Sequence, residues 1–161
     1  MKSLLLLRHA KSSWDDPRLA DFDRPLNDRG RRAAPLVGRH MRERKIRPDL
    51  VVCSPAERAR RTIALVAEAA GLSAPVRFDE RVYEATAAGL LEVVSQVEDA
   101  AGEVLLVGHN PGMEELLELL TGEARRMPTA ALARVRLDID NWSQLRPRAG
   151  RLEWHVKPKE L

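Results

Sequence analysis

Several residues that can handle a phosphoryl group follow short apolar runs in this sequence. Four leucines lead directly into Arg8 and His9, and VLLVG leads directly into His109. Arg58 lies four residues after Ser54, which follows a third run, LVVC. A neutral imidazole is a nucleophile near neutral pH, and an arginine fork binds two phosphoryl oxygens while staying protonated. These residue types predict a site that binds an anion and transfers a phosphoryl group.

The three apolar runs have the pattern of strands that are buried on both faces, as in a parallel sheet. They cover residues 3–8, 50–53 and 104–107, and a shorter strand is predicted at 76–78. Amphipathic patterns predict helices at 28–45, 56–71, 87–100 and 112–121. This alternation predicts an α/β fold, a three-layer α/β/α sandwich with helices on both faces of a mostly parallel sheet.

The C-terminal part of the chain has a different pattern, with apolar and polar residues alternating at 131–139 and again at 152–156. Period-two alternation predicts an antiparallel pair of strands at one edge of the sheet. Length and composition predict one domain over residues 1–161.

The order of strands and helices also predicts where the chemistry lies. Open parallel sheets form their binding crevice at the carboxyl ends of the strands, where helix N-termini add partial positive charge. Arg8, His9, Arg58 and His109 follow three such ends and are expected to meet there. At two of these turns, Ser54-Pro55 and Asn110-Pro111, the sequence predicts an N-cap followed by proline at the first helical position.

Composition excludes several classes of protein. The net charge is +3, but the 27 Lys and Arg residues are interleaved with 24 Asp and Glu, and aromatics make up only 4%, which argues against a nucleic-acid partner. No apolar run approaches the roughly 20 residues that cross a bilayer, and the apolar N-terminal run is too short for a signal peptide, so no membrane partner and a cytoplasmic location are expected. The single cysteine, Cys53, is expected to be a buried thiol. No pair of histidines has metal-ligand spacing, so neither a metal nor another cofactor is expected.

Five motifs in order resemble the histidine phosphatase superfamily, whose fold is phosphoglycerate mutase-like. They are RH at 8–9, RPLNDRGRRAA at 24–34, SPAERARRT at 54–62, YEA at 83–85 and VGHNP at 107–111. The RHA sequence and the D-x-D-R-P-L stretch at 21–26 are similar to the SixA-type phosphohistidine phosphatases. The resemblance covers roughly residues 3–122.

This resemblance implies a role for each candidate residue. His9 would attack phosphorus and form a phosphohistidine enzyme that water then hydrolyses. Arg8, Arg58 and His109 would hold the phosphoryl oxygens and stabilise charge during transfer. Glu84 falls where many members keep a general acid or base, so it is the candidate to protonate the leaving group.

Three further positions are expected to matter less or to differ from the family. Lys11, in the loop after His9, is a candidate substrate contact. Asn27 is another, and it also fits the cap of the following helix. Ala10 stands where the superfamily usually has glycine, so the loop is either in an ordinary conformation or slightly strained. His40 and His155 are expected to be structural.

The resemblance favours a phosphorylated substrate, such as a histidine-phosphorylated protein. The short chain leaves little room for an insertion that would cover the site, and an uncovered site could admit a protein surface. Two alternatives stay open at this point. One is a phosphatase for a small phosphomonoester such as a sugar phosphate or nucleotide, and the other is a phosphoryl-binding module or basic nucleic-acid binder without catalysis.

Overall fold

A six-stranded sheet with two helices on each face forms the molecule, as described for all 161 residues by a computed structural model. The strands are β1 Lys2–Arg8, β2 Leu50–Cys53, β3 Val76–Phe78, β4 Glu103–Gly108, β5 Leu132–Leu137 and β6 Gly150–Val156. The helices are α1 Asp28–Glu43, α2 Glu57–Ala70, α3 Ala87–Ser95 and α4 Gly112–Thr121. None of these helices has the length and apolar character needed to span a bilayer.

The strand order β3-β2-β4-β1-β5-β6 separates a parallel part of the sheet from an antiparallel part. Strands β3, β2, β4 and β1 run parallel to one another, whereas β5 is antiparallel to both β1 and β6. The predicted α/β/α fold, with an antiparallel pair at one edge, is therefore confirmed.

The four leucines of β1 show why this strand can be apolar without interruption. Leu4 and Leu6 pack with α3 and α4 on one face of the sheet, and Leu5 and Leu7 pack with α1 and α2 on the other. All four side chains are completely buried. Because both faces are covered, successive side chains enter two different cores, and the strand end that carries Arg8 is held between them.

The predicted helix starts at Ser54 and Asn110 are wrong. Helix α2 has Ala56 as its N-cap, and the Ser54 hydroxyl accepts a hydrogen bond from the Ala56 N–H at 3.2 Å. Helix α4 has Pro111 as its N-cap, since the Pro111 carbonyl accepts the first helical hydrogen bond from Glu115. The Ser54 hydroxyl also contacts the His109 ring, and the Asn110 amide donates to the Met127 carbonyl, so both side chains make tertiary contacts and neither residue is an N-cap. Helix α3 also ends earlier than predicted, at Ser95.

The segment between β1 and α1 folds back on itself. The Ser13 N–H donates to the Pro25 carbonyl at 2.8 Å, and Ser12 pairs with Leu26 in an isolated antiparallel bridge. The Asn27 N–H donates to the Lys11 carbonyl at 3.0 Å. These bonds hold the start of α1 against the residues that follow His9.

Gly30 makes this contact possible, and a side chain there is expected to damage it. A Cβ on Gly30 would overlap the Lys11 carbonyl oxygen and lie 2.9 Å from the Lys11 nitrogen. Because these are backbone atoms, Gly30→Ala must displace the loop that carries His9. We expect the variant to lose about 1–3 kcal/mol of unfolding free energy and about 10²-fold in kcat/KM, measured by chemical denaturation and phosphatase assay.

Gly89 provides the matched control for this prediction. Like Gly30, it lies in the first turn of a helix and its N–H is bonded by the N-cap side chain, here Thr86. A Cβ on Gly89 would meet only the Thr86 hydroxyl oxygen, at 3.4 Å. Gly89→Ala should therefore keep both stability and activity, and equal losses in the two variants would show that the Lys11 contact is unimportant.

Candidate active site

The four residues expected to meet at the strand ends do line one cavity. Arg8 ends β1, His9 follows it, Arg58 lies in the first turn of α2, and His109 follows β4. The cavity has a volume of about 230 Å³. Its ten lining residues are Arg8, His9, Lys11, Ser12, Trp14, Arg24, Arg58, His109, Asn110 and Thr129. Four of them are cationic and none is acidic, so the cavity is suited to an anion.

His9 is buried and its ring orientation is fixed by the backbone. The residue is only 6% exposed, and its backbone N–H donates to the Gly108 carbonyl at 3.1 Å. The ring Nδ1 lies 2.7 Å from the Ala10 carbonyl oxygen. Because a carbonyl can only accept, Nδ1 carries the proton and donates, which leaves the Nε2 lone pair of the neutral ring free to attack an electrophile.

Ala10 adopts an ordinary backbone conformation, since it is absent from the four non-glycine residues with positive φ. Its methyl group is completely buried, and its N–H donates to the Thr62 hydroxyl at 2.9 Å. The Thr62 hydroxyl in turn donates to the Arg58 carbonyl at 2.6 Å. Alanine in place of the usual glycine therefore leaves the His9 loop unstrained and ties it to the first turn of α2.

His109 lies beside His9, with 5.0 Å between the two ring centroids. Its Nε2 is 2.7 Å from the Ser54 hydroxyl oxygen, and the edge of the Tyr83 ring packs at a centroid distance of 5.5 Å. These contacts, from the residue that follows β2 and from the segment before α3, fix the imidazole at the cavity.

Both imidazoles are held in the neutral form. Burial is the main cause that lowers the pKa of His9 to about 3; the hydrogen bond to the Ala10 carbonyl opposes it, and the charges of Arg58 and Arg8 lower it further. Burial likewise lowers the pKa of His109 to about 4, with Arg58 as the next cause and Asp21 opposing it. A neutral His9 is the form that a nucleophile requires.

The lowered pKa values make folding stability sensitive to acid. In the unfolded chain both histidines titrate near 6.5, so between that pH and about 3 to 4 the unfolded state binds more protons. The contribution of the two neutral imidazoles to the free energy of unfolding is thus complete above pH 6.5 and is lost as the pH falls. Between about pH 7 and pH 5 we expect a loss of about 2 kcal/mol for each imidazole, measured by urea denaturation at the two pH values. His109→Gln should show a pH dependence smaller by that amount, and an unchanged pH dependence would contradict the assignment.

Arg58 is held in place by Asp21. One guanidinium nitrogen donates to the Asp21 carbonyl at 2.7 Å and another to its carboxylate Oδ2 at 2.9 Å. The Tyr83 hydroxyl donates to the same carboxylate oxygen at 2.6 Å. The pKa of the Asp21 carboxyl is lowered by these contacts, most by the hydrogen bond from Tyr83 and less by the bond from Arg58. The arginine fork is therefore pre-oriented at the cavity wall.

Arg24 is a cavity residue that the sequence analysis did not single out. It is buried, it donates to the Ser12 hydroxyl at 2.8 Å, and its Nε lies 3.3 Å from an Asp21 carboxylate oxygen. Its guanidinium carbon is 3.4 Å from the centroid of the exposed Trp14 ring, as in a cation–π stack. The D-x-D-R-P-L stretch contained the signal, but only as part of a family resemblance.

Arg8 is braced from the opposite side of the cavity. Its guanidinium donates to the Met127 carbonyl at 3.1 Å, and the Asn110 amide donates to the same oxygen at 2.9 Å. The Met127 N–H donates to the Glu114 carboxylate at 2.6 Å. The segment between α4 and β5 thus positions both Arg8 and Asn110.

Several buried donors at the cavity have no hydrogen-bond partner within the protein. They are Arg8 Nε, Arg24 Nη1, Arg58 Nε and, where it carries a proton, His109 Nδ1. Buried polar groups are normally paired, and the oxygens of a phosphoryl group could accept from such donors. The cavity therefore fits a phosphoryl group beside the His9 imidazole.

The remaining candidates lie in different places. Lys11 lines the cavity. Asn27 is the N-cap of α1, where its side chain accepts from the Gly30 N–H at 2.9 Å, and it is not a lining residue. Glu84 is exposed, has a φ of 55° and is also outside the lining. His40 and His155 line a separate cavity of about 390 Å³. No group of three or more His, Cys, Asp or Glu side chains is arranged to hold a metal ion.

Comparisons with known proteins agree with this geometry. A family profile described as "Histidine phosphatase superfamily (branch 1)" matches residues 4–92. An uncharacterised protein of Mycobacterium tuberculosis is 35% identical over 152 residues, which cover 88% of this chain and 92% of the relative. Among solved structures, SixA from Agrobacterium tumefaciens is 32% identical with a TM-score of 0.83, and the match covers 98% of each chain. SixA from Nakamurella multipartitia is 29% identical with a TM-score of 0.86, covering 98% of this chain and 96% of the other.

These matches confirm the family expected from the ordered motifs. The matched segment contains the Arg8-His9 pair and Arg58, and the SixA structures share the whole fold, including the edge strands near the C-terminus. The chain belongs to the histidine phosphatase superfamily, branch 1, as a phosphatase of the SixA type.

Proposed function

We propose that the protein is a metal-independent phosphohistidine phosphatase that acts on histidine-phosphorylated proteins in the cytoplasm. Two similar structures bear the SixA phosphohistidine phosphatase name, which supports this substrate. The observation that carries the proposal is the composition of the cavity, which combines a neutral histidine and three arginines with no carboxylate.

In the proposed reaction His9 Nε2 attacks the phosphorus of the substrate, and the bond from phosphorus to the substrate nitrogen breaks. The phosphoryl group is then bonded to His9, and the substrate imidazole, which has taken a proton from solvent on its other ring nitrogen, leaves as a neutral ring with the electron pair of the broken bond. Arg8, Arg24 and Arg58 bind the phosphoryl oxygens, whose charge is spread in the transition state. In the second step water attacks phosphorus, releasing inorganic phosphate and restoring neutral His9.

The leaving group explains why the absence of a lining carboxylate favours phosphohistidine. An alkoxide leaving from a phosphomonoester is a strong base and needs a general acid in the transition state. A phosphohistidine that solvent has protonated on its other ring nitrogen releases a neutral imidazole, a far weaker base with a conjugate-acid pKa of about 6.5, and needs no general acid from the enzyme. A cavity lined by cations and no acid is therefore better matched to a phosphoramidate than to an ester.

The loop that borders the cavity also favours a protein substrate. It exposes three large apolar side chains: Trp14 is 76% exposed, Leu19 39% and Phe22 38%. Trp14 lines the cavity mouth itself. Exposed apolar side chains grouped in one segment are typical of a surface that contacts another protein.

The test compares turnover of a phosphohistidine peptide with turnover of a panel of sugar phosphates, nucleotides and phosphoserine peptides, with and without EDTA. We expect kcat/KM for phosphohistidine to exceed that for every ester by at least about 10²-fold, with no effect of EDTA. A strong preference for one small ester would instead identify a phosphomonoesterase. Tight phosphopeptide binding without turnover would identify a non-catalytic module.

Glu84→Gln decides whether the predicted general acid takes part. Because Glu84 is exposed and outside the cavity lining, we expect kcat/KM for phosphohistidine to stay within about threefold of the parent value. A general acid usually contributes about 10²-fold or more, so a loss of that size would establish its role. Glu80→Gln, at another exposed carboxylate in the same segment, serves as the matched control.

A further inference from the structure

A basic groove adjoins the catalytic cavity. It has a volume of about 190 Å³ and shares Lys11 and Thr129 with the cavity. The cations of its lining are Lys11, Arg29, Lys157 and Lys159, and the other lining residues are Ala33, Pro128, Thr129 and Pro158. We define these eight residues as the basic groove. It has no acidic lining residue.

The four cations of the basic groove are not neutralised by the protein. None of them takes part in an ion pair. Lys11, Arg29 and Lys159 are exposed, and Lys157 is half-buried. The nearby Glu160 carboxylate accepts the Lys157 backbone N–H at 2.8 Å instead of pairing with a cation of the groove. The groove therefore presents positive charge from three separate parts of the chain.

The type of cation distinguishes this groove from the catalytic cavity. The cavity has three arginines, whose rigid forks match the oxygens of a phosphoryl group. The basic groove has three lysines and one arginine, and lysine is a point charge on a flexible stem. Flexible point charges suit carboxylates at variable positions better than a second phosphoryl group. Since no aromatic residue lines the groove, it offers no stacking surface for nucleic-acid bases.

We propose that the basic groove docks an acidic segment of the protein substrate, so that Asp and Glu side chains near the phosphohistidine contact Lys11, Arg29, Lys157 and Lys159. This inference rests on the proposed function and adds a determinant of substrate choice to it. Lys11 connects the two regions, since it follows the nucleophile by two residues and lines both. A substrate with its phosphoryl group at His9 thus places its neighbouring residues at the groove.

Two phosphohistidine peptides that differ only in their flanking residues test this proposal, one with glutamates and one with glutamines. We expect KM for the acidic peptide to be about 10-fold lower than for the neutral one, with similar kcat, and the difference to shrink as salt is raised. In the R29Q/K157Q/K159Q variant the ratio of the two KM values should fall to about one. The R39Q/R42Q/R151Q variant removes the same charge from exposed, unpaired arginines elsewhere and should keep the ratio.

The outcomes separate this proposal from the proposed function. Equal turnover of both peptides by the parent enzyme would overturn docking while leaving the phosphohistidine activity intact. If neither peptide is turned over, the proposed function fails, and docking is decided by the affinity for acidic and neutral peptides that carry a non-hydrolysable phosphohistidine analogue. Equal affinities there, or loss of discrimination in both variants alike, would also overturn docking. A small bisphosphate whose KM rises in R29Q/K157Q/K159Q, with no peptide preference, would reassign the groove to a small ligand.

Discussion

His9→Ala is expected to lower kcat/KM by at least about 10⁴-fold, because no other side chain of the cavity can replace the nucleophile. His109 is the only other imidazole there, and its Nε2 is engaged with the Ser54 hydroxyl. Lys11 carries a protonated ammonium, which is not a nucleophile. The measurement is the steady-state rate with a phosphohistidine peptide over a wide range of enzyme concentration.

The stability of His9→Ala has to be measured together with its activity. The imidazole is buried in neutral form, so alanine removes a desolvated ring and leaves the paired backbone of Arg8 and His9 in place. A folded but inactive variant is the expected result. His155→Ala, which removes a histidine from the separate cavity, should remain active. Parent-like activity of His9→Ala would exclude His9 as the nucleophile.

Arg58→Ala is expected to lower kcat/KM by about 10³-fold, mainly through kcat. Arg58 is buried and is pre-oriented by two hydrogen bonds to Asp21, so its charge is available to the transition state without reorganisation. Its removal also leaves the Asp21 carboxylate without this partner close to the cavity, and the negative charge would repel a phosphoryl group. The loss should therefore exceed that of an exposed arginine by orders of magnitude.

Two further variants sharpen the Arg58 prediction. Arg58→Lys keeps the charge but loses the planar fork, so it should recover only part of the lost activity. Arg61→Ala removes an exposed arginine from the same helix and should stay within about threefold of the parent enzyme. Equal effects of Arg58→Ala and Arg61→Ala would show that Arg58 does not bind the phosphoryl group.

The sequence was sufficient to predict how β1, β2 and β4 meet. Their apolar runs are recognisable because both faces of each strand are covered, and parallel strands deliver the residues after them to one edge of the sheet. The positions of Arg8, His9, Arg58 and His109 follow from this rule alone. The resemblance added the family and the proposed role of His9.

The sequence was insufficient where the site depends on side-chain pairing across loops. Arg24 reaches the cavity only because the segment after β1 folds back, and its bond to Ser12 joins residues twelve positions apart. Asp21 contacts Tyr83 across 62 positions. Neither pairing has a periodic signal. The capping predictions at Ser54 and Asn110 were wrong for a related reason, since local propensity favoured a cap while tertiary contacts directed these side chains to the site.

Trapping the phosphoenzyme tests the central claim most directly. Brief incubation with a labelled phosphodonor, followed by rapid quenching in alkali and mass spectrometry of the peptides, should show an acid-labile, base-stable phosphoryl group on His9. Arg58→Ala should form it more slowly, and His9→Ala should not form it. Label on another residue, or complete turnover with no phosphoenzyme detectable on the time scale of a single turnover, would contradict a covalent mechanism through His9.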